Sequence, residues 1–315
     1  MARALLALLL AILILTLGNS RRLTMPAVAW PATLMELDPV PPVRPIPSLR
    51  ELQTQERGRT SVQVMSYNIH HGRGVSGGLD LEEIAAVIEA SGADIIGLQE
   101  VDRNFGQRSD YQDQPAMLAS RLNMHYVYGD SLRVQHLRPG RGVGYYGNMI
   151  LSRYPILDSQ VLRLPNQWGN EPRTALKATI ETPTGPIVVW VTHLGLSNGD
   201  REAQVQRLLG AVEEERLPFA VLGDFNALAQ TPEARAMANQ LQDVGRALEE
   251  DNIGTFYAGP SQPMPRIDYI WVGQHFQPTS YRVIPSQASD HLAVTADLVL
   301  LSEGRKVQTG KRRGE

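Results

Sequence analysis

One stretch of the chain, Val221-Leu222-Gly223-Asp224-Phe225-Asn226-Ala227, decides how the rest is interpreted. It predicts a buried strand, Phe219 to Leu222, that stops at a glycine and presents Asp224 and Asn226 at its carboxyl end. A carboxylate there can take a proton from water, and an amide can donate to an oxygen that is gaining charge. Gly-Asp-x-Asn alone is also typical of turns that need local hydrogen bonds. The other polar strand ends therefore decide whether this one belongs to a site.

The amino-acid composition limits which catalytic and metal-binding groups the chain can use. The 315 residues are 43% hydrophobic and carry a formal net charge of −3, which is a globular composition without a global attraction to polyanions. Cysteine is absent, so the chain has no disulfide, thiolate nucleophile or cysteine-bound zinc. Carboxylates, amides and histidines would have to hold any metal, and such ligands indicate hard cations such as Mg²⁺ or Mn²⁺.

The two ends are predicted to lie outside the folded domain. Residues 1–25 contain an apolar run, 4–17, which is shorter than the roughly 20 residues of a spanning helix. This run indicates a signal peptide or an uncleaved signal-anchor, with a buried helix as the alternative. Residues 26–60 are predicted to form a proline-rich spacer and residues 302–315 a disordered basic tail, leaving 61–301 as the catalytic domain. We expect an exported (periplasmic or extracellular) protein, or one tethered to a membrane through residues 4–17, and infer no protein partner.

Hydrophobic periodicity between these ends predicts alternating strands and helices. Strands are predicted at 62–67, 93–98, 126–128, 149–152, 157–164, 174–181, 187–192, 219–222, 267–272, 280–284 and 292–299. Helices are predicted at 80–90, with Asp80 as the N-cap, and at 115–122, 200–215 and 232–241. Residues 131–144, with Arg133, Arg138 and Arg141, are predicted to form a loop that is either solvated or a clamp for substrate phosphate. The pattern predicts an α/β or α+β sandwich with sheets inside and helices outside.

Six strand ends or adjacent loops carry polar residues with chemical potential. They are Asn68; Glu100; His193; Asp224 with Asn226; Asp268; and Asp290 with His291. Each one alone is typical of a turn, a solvated carboxylate or a satisfied histidine. All six together are difficult to assign to turns, because open sheets build their sites at strand ends.

This set resembles the endonuclease/exonuclease/phosphatase superfamily, which includes deoxyribonuclease I, abasic-site endonucleases, neutral sphingomyelinases and inositol polyphosphate 5-phosphatases. The matching stretches are Ser66-Tyr67-Asn68, Gly97-Leu98-Gln99-Glu100-Val101, Gly147-Asn148-Met149-Ile150-Leu151-Ser152, Thr192-His193-Leu194, Gly223-Asp224-Phe225-Asn226-Ala227, Arg266-Ile267-Asp268-Tyr269-Ile270 and Ser289-Asp290-His291. They follow the family's order and cover about residues 62 to 300. The resemblance implies a deoxyribonuclease I-like, four-layer α/β/β/α sandwich.

The resemblance also implies a role for each matching position. The implied metal residues, for Mg²⁺ or alternatively Mn²⁺, are Glu100, Asn68 and Asp290. The implied catalytic residues are Asp224, which positions or deprotonates water; Asn226, which steadies water or a phosphate oxygen; His291, which contacts the phosphate; Asp268, which orients His291; and His193, a second phosphate-facing histidine. The implied substrate-side residues are Arg173, Asn148 and Tyr145. His70 is predicted as a further substrate-side residue, although His70 and His71 depart from the family pattern, since abasic-site endonucleases carry an aspartate there. A histidine at this place either contacts metal or substrate or only lines the loop.

These residue types suit phosphodiester hydrolysis. A divalent cation offsets the negative charge of the diester, an Asp–His pair holds a protonated imidazole near a phosphoryl oxygen, and Asp224 activates an in-line water. The favoured function is a metal-dependent phosphodiesterase acting as a nuclease. The alternative substrate is a phospholipid headgroup or an inositol phosphate, as for a sphingomyelinase, and a non-catalytic binding module is the last hypothesis.

Overall fold

The computed structural model describes residues 61–136, 142–257 and 265–301. The predictions for residues 1–25, 26–60 and 302–315 fall outside these ranges and stay predictions. So do any roles of Arg138 and Arg141. None of the helices in the described ranges combines the length and apolar composition that a membrane crossing requires.

The described residues form twelve strands and five α-helices. The strands are β1 (Ser61–Asn68), β2 (Ile95–Arg103), β3 (His125–Gln135), β4 (Val143–Ser152), β5 (Ile156–Arg163), β6 (Thr174–Thr182), β7 (Gly185–His193), β8 (Phe219–Asp224), β9 (Gln242–Asp243), β10 (Asp268–Val272), β11 (Phe276–Ile284) and β12 (Ala293–Leu300). The helices are α1 (Leu81–Ser91), α2 (Gln114–Leu122), α3 (Asn198–Val212), α4 (Pro232–Ala238) and α5 (Val244–Ala247). Short 3-10 helices lie at His70–Gly72 and Gln107–Ser109.

Two six-stranded sheets share one pattern of strand pairing. Sheet one has the order β11-β12-β1-β2-β4-β3, and sheet two has the order β5-β6-β7-β8-β10-β9. Each sheet contains one parallel pair, β1 with β2 and β7 with β8, among otherwise antiparallel neighbours. Helix α1 connects the first parallel pair and α3 connects the second, as crossover connections between parallel strands require.

Three apolar clusters make the four layers. One cluster lies between the sheets and includes Val64, Ile150, Val191 and Leu222. A second packs the outer face of sheet one against α1 and α2, and a third packs the outer face of sheet two against α3 and α4. The central strands are therefore buried on both faces, which explains why they are nearly continuous apolar runs in the sequence. The α/β/β/α sandwich expected from the sequence is confirmed.

Most predicted elements are confirmed, including the N-cap, where the Asp80 side chain accepts from Glu83 N. The prediction that the second strand ends at Leu98 was wrong. Strand β2 continues to Arg103 through a bulge, where its pairing with β4 shifts between Leu98 and Val101. Glu100 lies in this bulge with a φ of 58°. A bulge re-aims one side chain without ending the strand, so the polar run looked like a strand end.

The prediction of a basic loop at residues 131–144 was wrong at both ends of the segment. Residues 131–135 extend β3, residues 143–144 begin β4, and the two strands pair antiparallel. Residues 137–141 lie outside the described ranges. Arg133 lies in β3 and pairs with Asp130 three residues earlier. The short predicted strand at 126–128 is thus part of an eleven-residue strand. Strand β9 and helix α5 were not predicted, because two- and four-residue elements carry no readable periodicity.

A substitution at Gly97 tests how closely the two sheets pack there. A Cβ at Gly97 would lie 2.5 Å from Val191 Cγ2 and 3.2 Å from Leu222 Cδ1, both on sheet two. We expect Gly97→Ala to lower the free energy of unfolding by about 1–3 kcal/mol, because a branched side chain in a packed core cannot move aside. Urea unfolding measures this change.

Gly210→Ala is the matched control. Gly210 is exposed within α3, and an added Cβ meets no heavy atom within 4 Å. Alanine there should raise the free energy of unfolding by about 0.5–1 kcal/mol. Equal effects of the two substitutions would contradict the close packing at Gly97.

Candidate active site

The two parallel strand pairs bring their carboxyl ends to one edge of the sandwich. Asn68 ends β1, Glu100 lies in β2, His193 ends β7 and Asp224 ends β8. Because β12, β6 and β10 run antiparallel to these strands, their amino ends meet the same edge. Asp290 and His291 lie just before β12, Arg173 lies just before β6, and Asp268 begins β10. The pairing pattern therefore collects side chains that are distant in sequence.

Asp224 is the centre of this edge. Its Oδ2 accepts from Asn68 Nδ2 at 3.1 Å and lies 3.3 Å from His193 Nε2 and 3.6 Å from His291 Nε2. Its Oδ1 accepts from Asn226 N at 2.8 Å. The residue is 1% exposed. Burial raises the pKa of Asp224 to about 7, with the His291 charge opposing the rise and the Asp268 charge adding to it.

His291 is held by a carboxylate on its other side. His291 Nδ1 donates to Asp268 Oδ2 at 2.9 Å, and its ring packs against Phe256 at 4.8 Å between centroids. Burial favours the neutral imidazole, but the charges of Asp268 and Asp224 outweigh it and raise the pKa of His291 to about 10. The Asp–His pair predicted from the sequence is thus present as a contact. It leaves Nε2 of a cationic imidazole facing Asp224.

His193 has the opposite character. Arg173 Nη1 donates to His193 Nδ1 at 2.9 Å, so a neutral His193 carries its hydrogen on Nε2 and presents it to Asp224. Burial, together with the charges of Arg173 and His291, holds the pKa of His193 well below its usual range. Glu171 pairs with Arg173 at 2.9 Å. Arg173 therefore orients His193, a contact that the sequence did not indicate.

The candidate metal-binding residues Asn68, Glu100, Asp290 and His70 lie beside Asp224 on sheet one, and we call this group the metal edge. Asn68 Nδ2 donates to Glu100 Oε1 at 3.0 Å, and Asp290 Oδ2 lies 3.3 Å from His70 Nδ1. Asp290 and Glu100 are partly exposed, so their carboxylates can receive a cation from solvent. A carboxylate, imidazole and amide donor set of this kind fits a divalent metal ion.

Asn226 is placed by its own backbone. It has a φ of 48°, and its Nδ2 donates to Leu194 O at 3.0 Å. This contact joins the loop after β8 to the residue after β7. Its backbone N–H is the group that contacts Asp224. The amide side chain lies at the site edge, and its predicted role toward water stays a prediction.

Two predicted substrate residues, Asn148 and Tyr145, make their contacts away from Asp224. Asn148 is buried and donates to Thr174 O at 3.0 Å, so it links sheet one to sheet two. Tyr145 lies on the other face of β4, where its ring contacts the guanidinium groups of Arg103 at 5.5 Å and Arg133 at 5.7 Å. The neighbouring Tyr146 shares the inner face with Asn148. Burial and the charges of Glu100 and Glu171 raise the pKa of Tyr146.

Sequence reasoning missed several supporting residues. Thr255 Oγ1 accepts from the backbone N–H of Ile267 and of Asp268, both at 3.1 Å, which sets the start of β10. Ser289 Oγ donates to Asn68 O at 2.8 Å and accepts from His291 N. The contact between Ser289 and Asn68 spans 221 positions, and those of Thr255 span 12 and 13, so none of these three is visible in one short stretch of sequence. The inward position of Tyr146 could have been predicted, because Tyr146 and Asn148 are two residues apart on one strand and so lie on the same face.

The four layers define the class as an α/β/β/α sandwich that carries buried Asp–His contacts at one edge of its two sheets. Residues 65–291 match the sequence profile of the Endonuclease/Exonuclease/phosphatase family. The chain therefore belongs to the endonuclease/exonuclease/phosphatase family, whose enzymes hydrolyse phosphoester bonds.

Similar proteins agree with this membership. "Uncharacterized protein YbhP" of Escherichia coli K12 is 30% identical over 274 residues, which cover 79% of this chain and 99% of YbhP. The crystal structure of an endonuclease/exonuclease/phosphatase from Beutenbergia cavernae is 29% identical with a TM-score of 0.66, covering 77% of this chain and 72% of that one. The human Nocturnin catalytic domain with bound sulfate anion is 25% identical with a TM-score of 0.55, covering 77% and 94%.

The Asp224–His291 pair predicts a bell-shaped pH profile. Activity should rise as Asp224 loses its proton near pH 7 and fall as His291 loses its proton near pH 10. The Asp268 charge raises the pKa of both groups, so Asp268→Asn should move both limbs to lower pH. Profiles of kcat/KM on a diester measure the limbs.

Asp297→Asn is the matched control for this substitution. Asp297 pairs with Ser280 and lies opposite Gln63, near the start of β1 and away from the site. It should leave both limbs in place. Limbs that do not move in Asp268→Asn, in a variant that melts as a folded protein, would contradict the assigned coupling.

Proposed function

We propose that the chain is a divalent-metal-dependent phosphodiesterase that cleaves nucleic acid. The observation that most supports this chemistry is that Asp224 Oδ2 is contacted by three side chains, those of Asn68, His193 and His291. A buried carboxylate between two imidazoles of opposite charge state can accept a proton while a cation beside it donates a hydrogen bond. Hydrolysis of a charged ester needs both actions at one place.

Each of these residues acts at a stated atom. Asp224 holds the attacking water and takes its proton, and the neutral Nε2–H of His193 keeps the carboxylate oriented. His291, fixed by Asp268 through Nδ1, donates from Nε2 to a phosphoryl oxygen. The short distances around Asp224 support this proposal, because groups already in contact could orient a water molecule and a phosphate for in-line attack with little rearrangement.

The residues of the metal edge complete the proposal. Glu100, Asn68 and Asp290 would hold a divalent cation, Mg²⁺ or Mn²⁺, which offsets the charge of the diester and polarises a phosphoryl oxygen. Nocturnin, which is similar to this chain, carries a sulfate anion. An anion bound to a related fold supports a phosphate site here.

An arginine and aromatic patch supports nucleic acid as the substrate. Arg103 and Arg133 flank Tyr145 on the outer face of sheet one, and their side chains are 48% and 62% exposed. Arg163 contacts the same Asp130 as Arg133 and is 57% exposed. Exposed arginines beside an aromatic ring suit a backbone with stacked bases. Arg103 follows Glu100 in β2, so the patch lies at the site end of the sheet.

A lipid headgroup is the second candidate substrate, and a different observation favours it. Trp168 is fully exposed and Leu196 is 76% exposed. Leu196 lines a cavity of about 310 Å³ together with Arg173 and Glu171. In this alternative, the exposed Trp168 and Leu196 would enter the interfacial layer of a bilayer, and the cavity that Leu196 lines with Arg173 would receive the headgroup. A tether through residues 4–17 would hold the site near that bilayer.

We further propose that the protein is exported or membrane-tethered. The apolar run 4–17 and the proline-rich spacer 26–60 support this location. Fractionation of cells, followed by sequencing of the amino terminus in each fraction, tests it. A full-length chain recovered only from the cytoplasm would refute it.

Asp224→Asn tests the proposed chemistry. Removing the base should lower kcat on bis-p-nitrophenyl phosphate by about 100- to 10,000-fold, and EDTA should abolish activity. Asp158→Asn, an exposed position on β5, serves as the control and should retain full activity. An undiminished rate in purified Asp224→Asn would exclude Asp224 as the base. A protein inactive on every phosphoester, with or without metal, would favour a non-catalytic binding module.

Substrate class is tested by separate variants. Arg103→Ala with Arg133→Ala should raise KM for plasmid DNA several-fold and weaken its salt dependence, because phosphate contacts are lost. Trp168→Ala should instead impair hydrolysis of sphingomyelin vesicles. Arg121→Ala is the control, since Arg121 pairs with Glu82 and Glu89 near the other end of sheet one. Lipid hydrolysis without DNA cleavage would reverse the order of the two substrates.

A further inference from the structure

The metal edge of this chain contains two adjacent histidines. His70 and His71 form the 3-10 turn that follows β1, and β1 lies parallel to β2. One ligand atom from each of His70, His71 and Glu100 lies within 4.8 Å of the others. Ligands at about 2.1 Å from one cation lie roughly 3–4 Å apart, so this cluster needs only a small contraction to bind one.

Unusual backbone aims all three side chains. His70, His71 and Glu100 have φ values of 44°, 46° and 58°, in the left-handed region that non-glycine residues seldom adopt. The turn is held in place by Gln114, whose Nε2 donates to His71 O at 2.7 Å. His70 N donates to Asn68 Oδ1 at 3.0 Å. The surrounding structure therefore imposes this conformation on the turn.

His71 supplies an independent sign of a ligand. Its side chain is buried, with 5% exposed, and its Nδ1 has no hydrogen-bond partner within the described part of the chain. Its ring meets that of His70 edge-on at 4.6 Å between centroids. Buried polar atoms are nearly always paired. An imidazole in a cluster with a second imidazole and a carboxylate can meet this need by ligating a cation.

The neighbouring charges permit a cation at this place. Asp290 Oδ2 lies 3.3 Å from His70 Nδ1 and adds a second carboxylate to Glu100. Two arginines lie near His71. Arg108 is paired with the buried Asp102 at 2.7 Å, which compensates its charge, and Arg73 donates from Nε to Gly77 O. The cluster therefore offers two imidazoles and the carboxylate of Glu100, with the carboxylate of Asp290 next to His70. Mg²⁺ prefers oxygen ligands alone, whereas imidazole favours the transition metals.

We propose that His70 and His71 join Glu100 to form a mixed nitrogen–oxygen site that selects a transition-metal cation over Mg²⁺. The proposal deepens the proposed function, because it decides between the cations considered for that same edge. It assigns His70 to the metal and not to the substrate. It also gives His71 a role as a ligand.

Metal binding to the full chain tests this without an activity assay. After EDTA treatment and dialysis, calorimetric titration should give a dissociation constant for Mn²⁺ at least about tenfold below that for Mg²⁺. Co²⁺ should develop a visible absorption band of a nitrogen-ligated ion. Equal affinities for Mn²⁺ and Mg²⁺, or a Co²⁺ spectrum identical to the aquo ion, would overturn the proposal.

Two variants and one control locate the site. His71→Asn and His70→Asn keep a residue type that tolerates the left-handed backbone, and each should weaken Mn²⁺ binding by about 10- to 100-fold while Mg²⁺ binding changes less. His275→Asn, in the turn at the far end of β10 from Asp268, should change neither. Thermal unfolding in EDTA checks that each variant is folded, and His70, being partly exposed, is the safer substitution.

The two proposals fail separately. If the protein selects Mn²⁺ through His70 and His71 but hydrolyses no phosphoester, the metal-site proposal stands and the proposed function is refuted. A chain whose Asp224-dependent hydrolysis is intact but whose Mn²⁺ affinity is unchanged in both histidine variants loses the metal-site proposal alone.

Discussion

The buried carboxylate of Asp224 is the interaction on which the site depends. A carboxylate removed from water must be hydrogen-bonded or paired, and Asp224 meets this need with contacts from both sheets: Asn68 and His291 from sheet one, and His193 from sheet two. The residue therefore couples the assembly of the sandwich to the assembly of the site. A sheet that slipped by one residue would turn its site residues to the wrong face.

The sandwich places these residues by repeating one pairing pattern twice. Each sheet has a parallel pair at its centre, and a crossover helix leaves both strands of the pair ending at the same edge. Glycine at position 97 lets the two sheets approach closely near that edge. The two halves then differ in chemistry. Sheet one supplies the carboxylate and amide of Glu100 and Asn68, whereas sheet two supplies the imidazole of His193 and the buried carboxylate of Asp224.

The charge states at the edge follow from the same geometry. Two buried histidines lie against one carboxylate, yet they have opposite pKa shifts because their other nitrogens face opposite charges. His291 faces Asp268, which favours its cation, and His193 faces Arg173, which favours its neutral form. His291 is thus favoured as a cationic hydrogen-bond donor and His193 as a neutral imidazole. The different surroundings of the two side chains give the same residue type two different charge states.

The sequence by itself determined the family, the layers and most of the polar residues at the edge. These signals are local: apolar runs predict buried strands, and the polar residues follow directly after them. Only the tertiary structure decided which of these residues meet. Asn68 and Asp224 are 156 positions apart, and their contact depends on packing between sheets. The bulge at Glu100, the choice of Tyr146 over Tyr145 for the inner face, and the burial of His71 likewise arise from long-range strand pairing, which leaves no pattern within a single stretch of sequence.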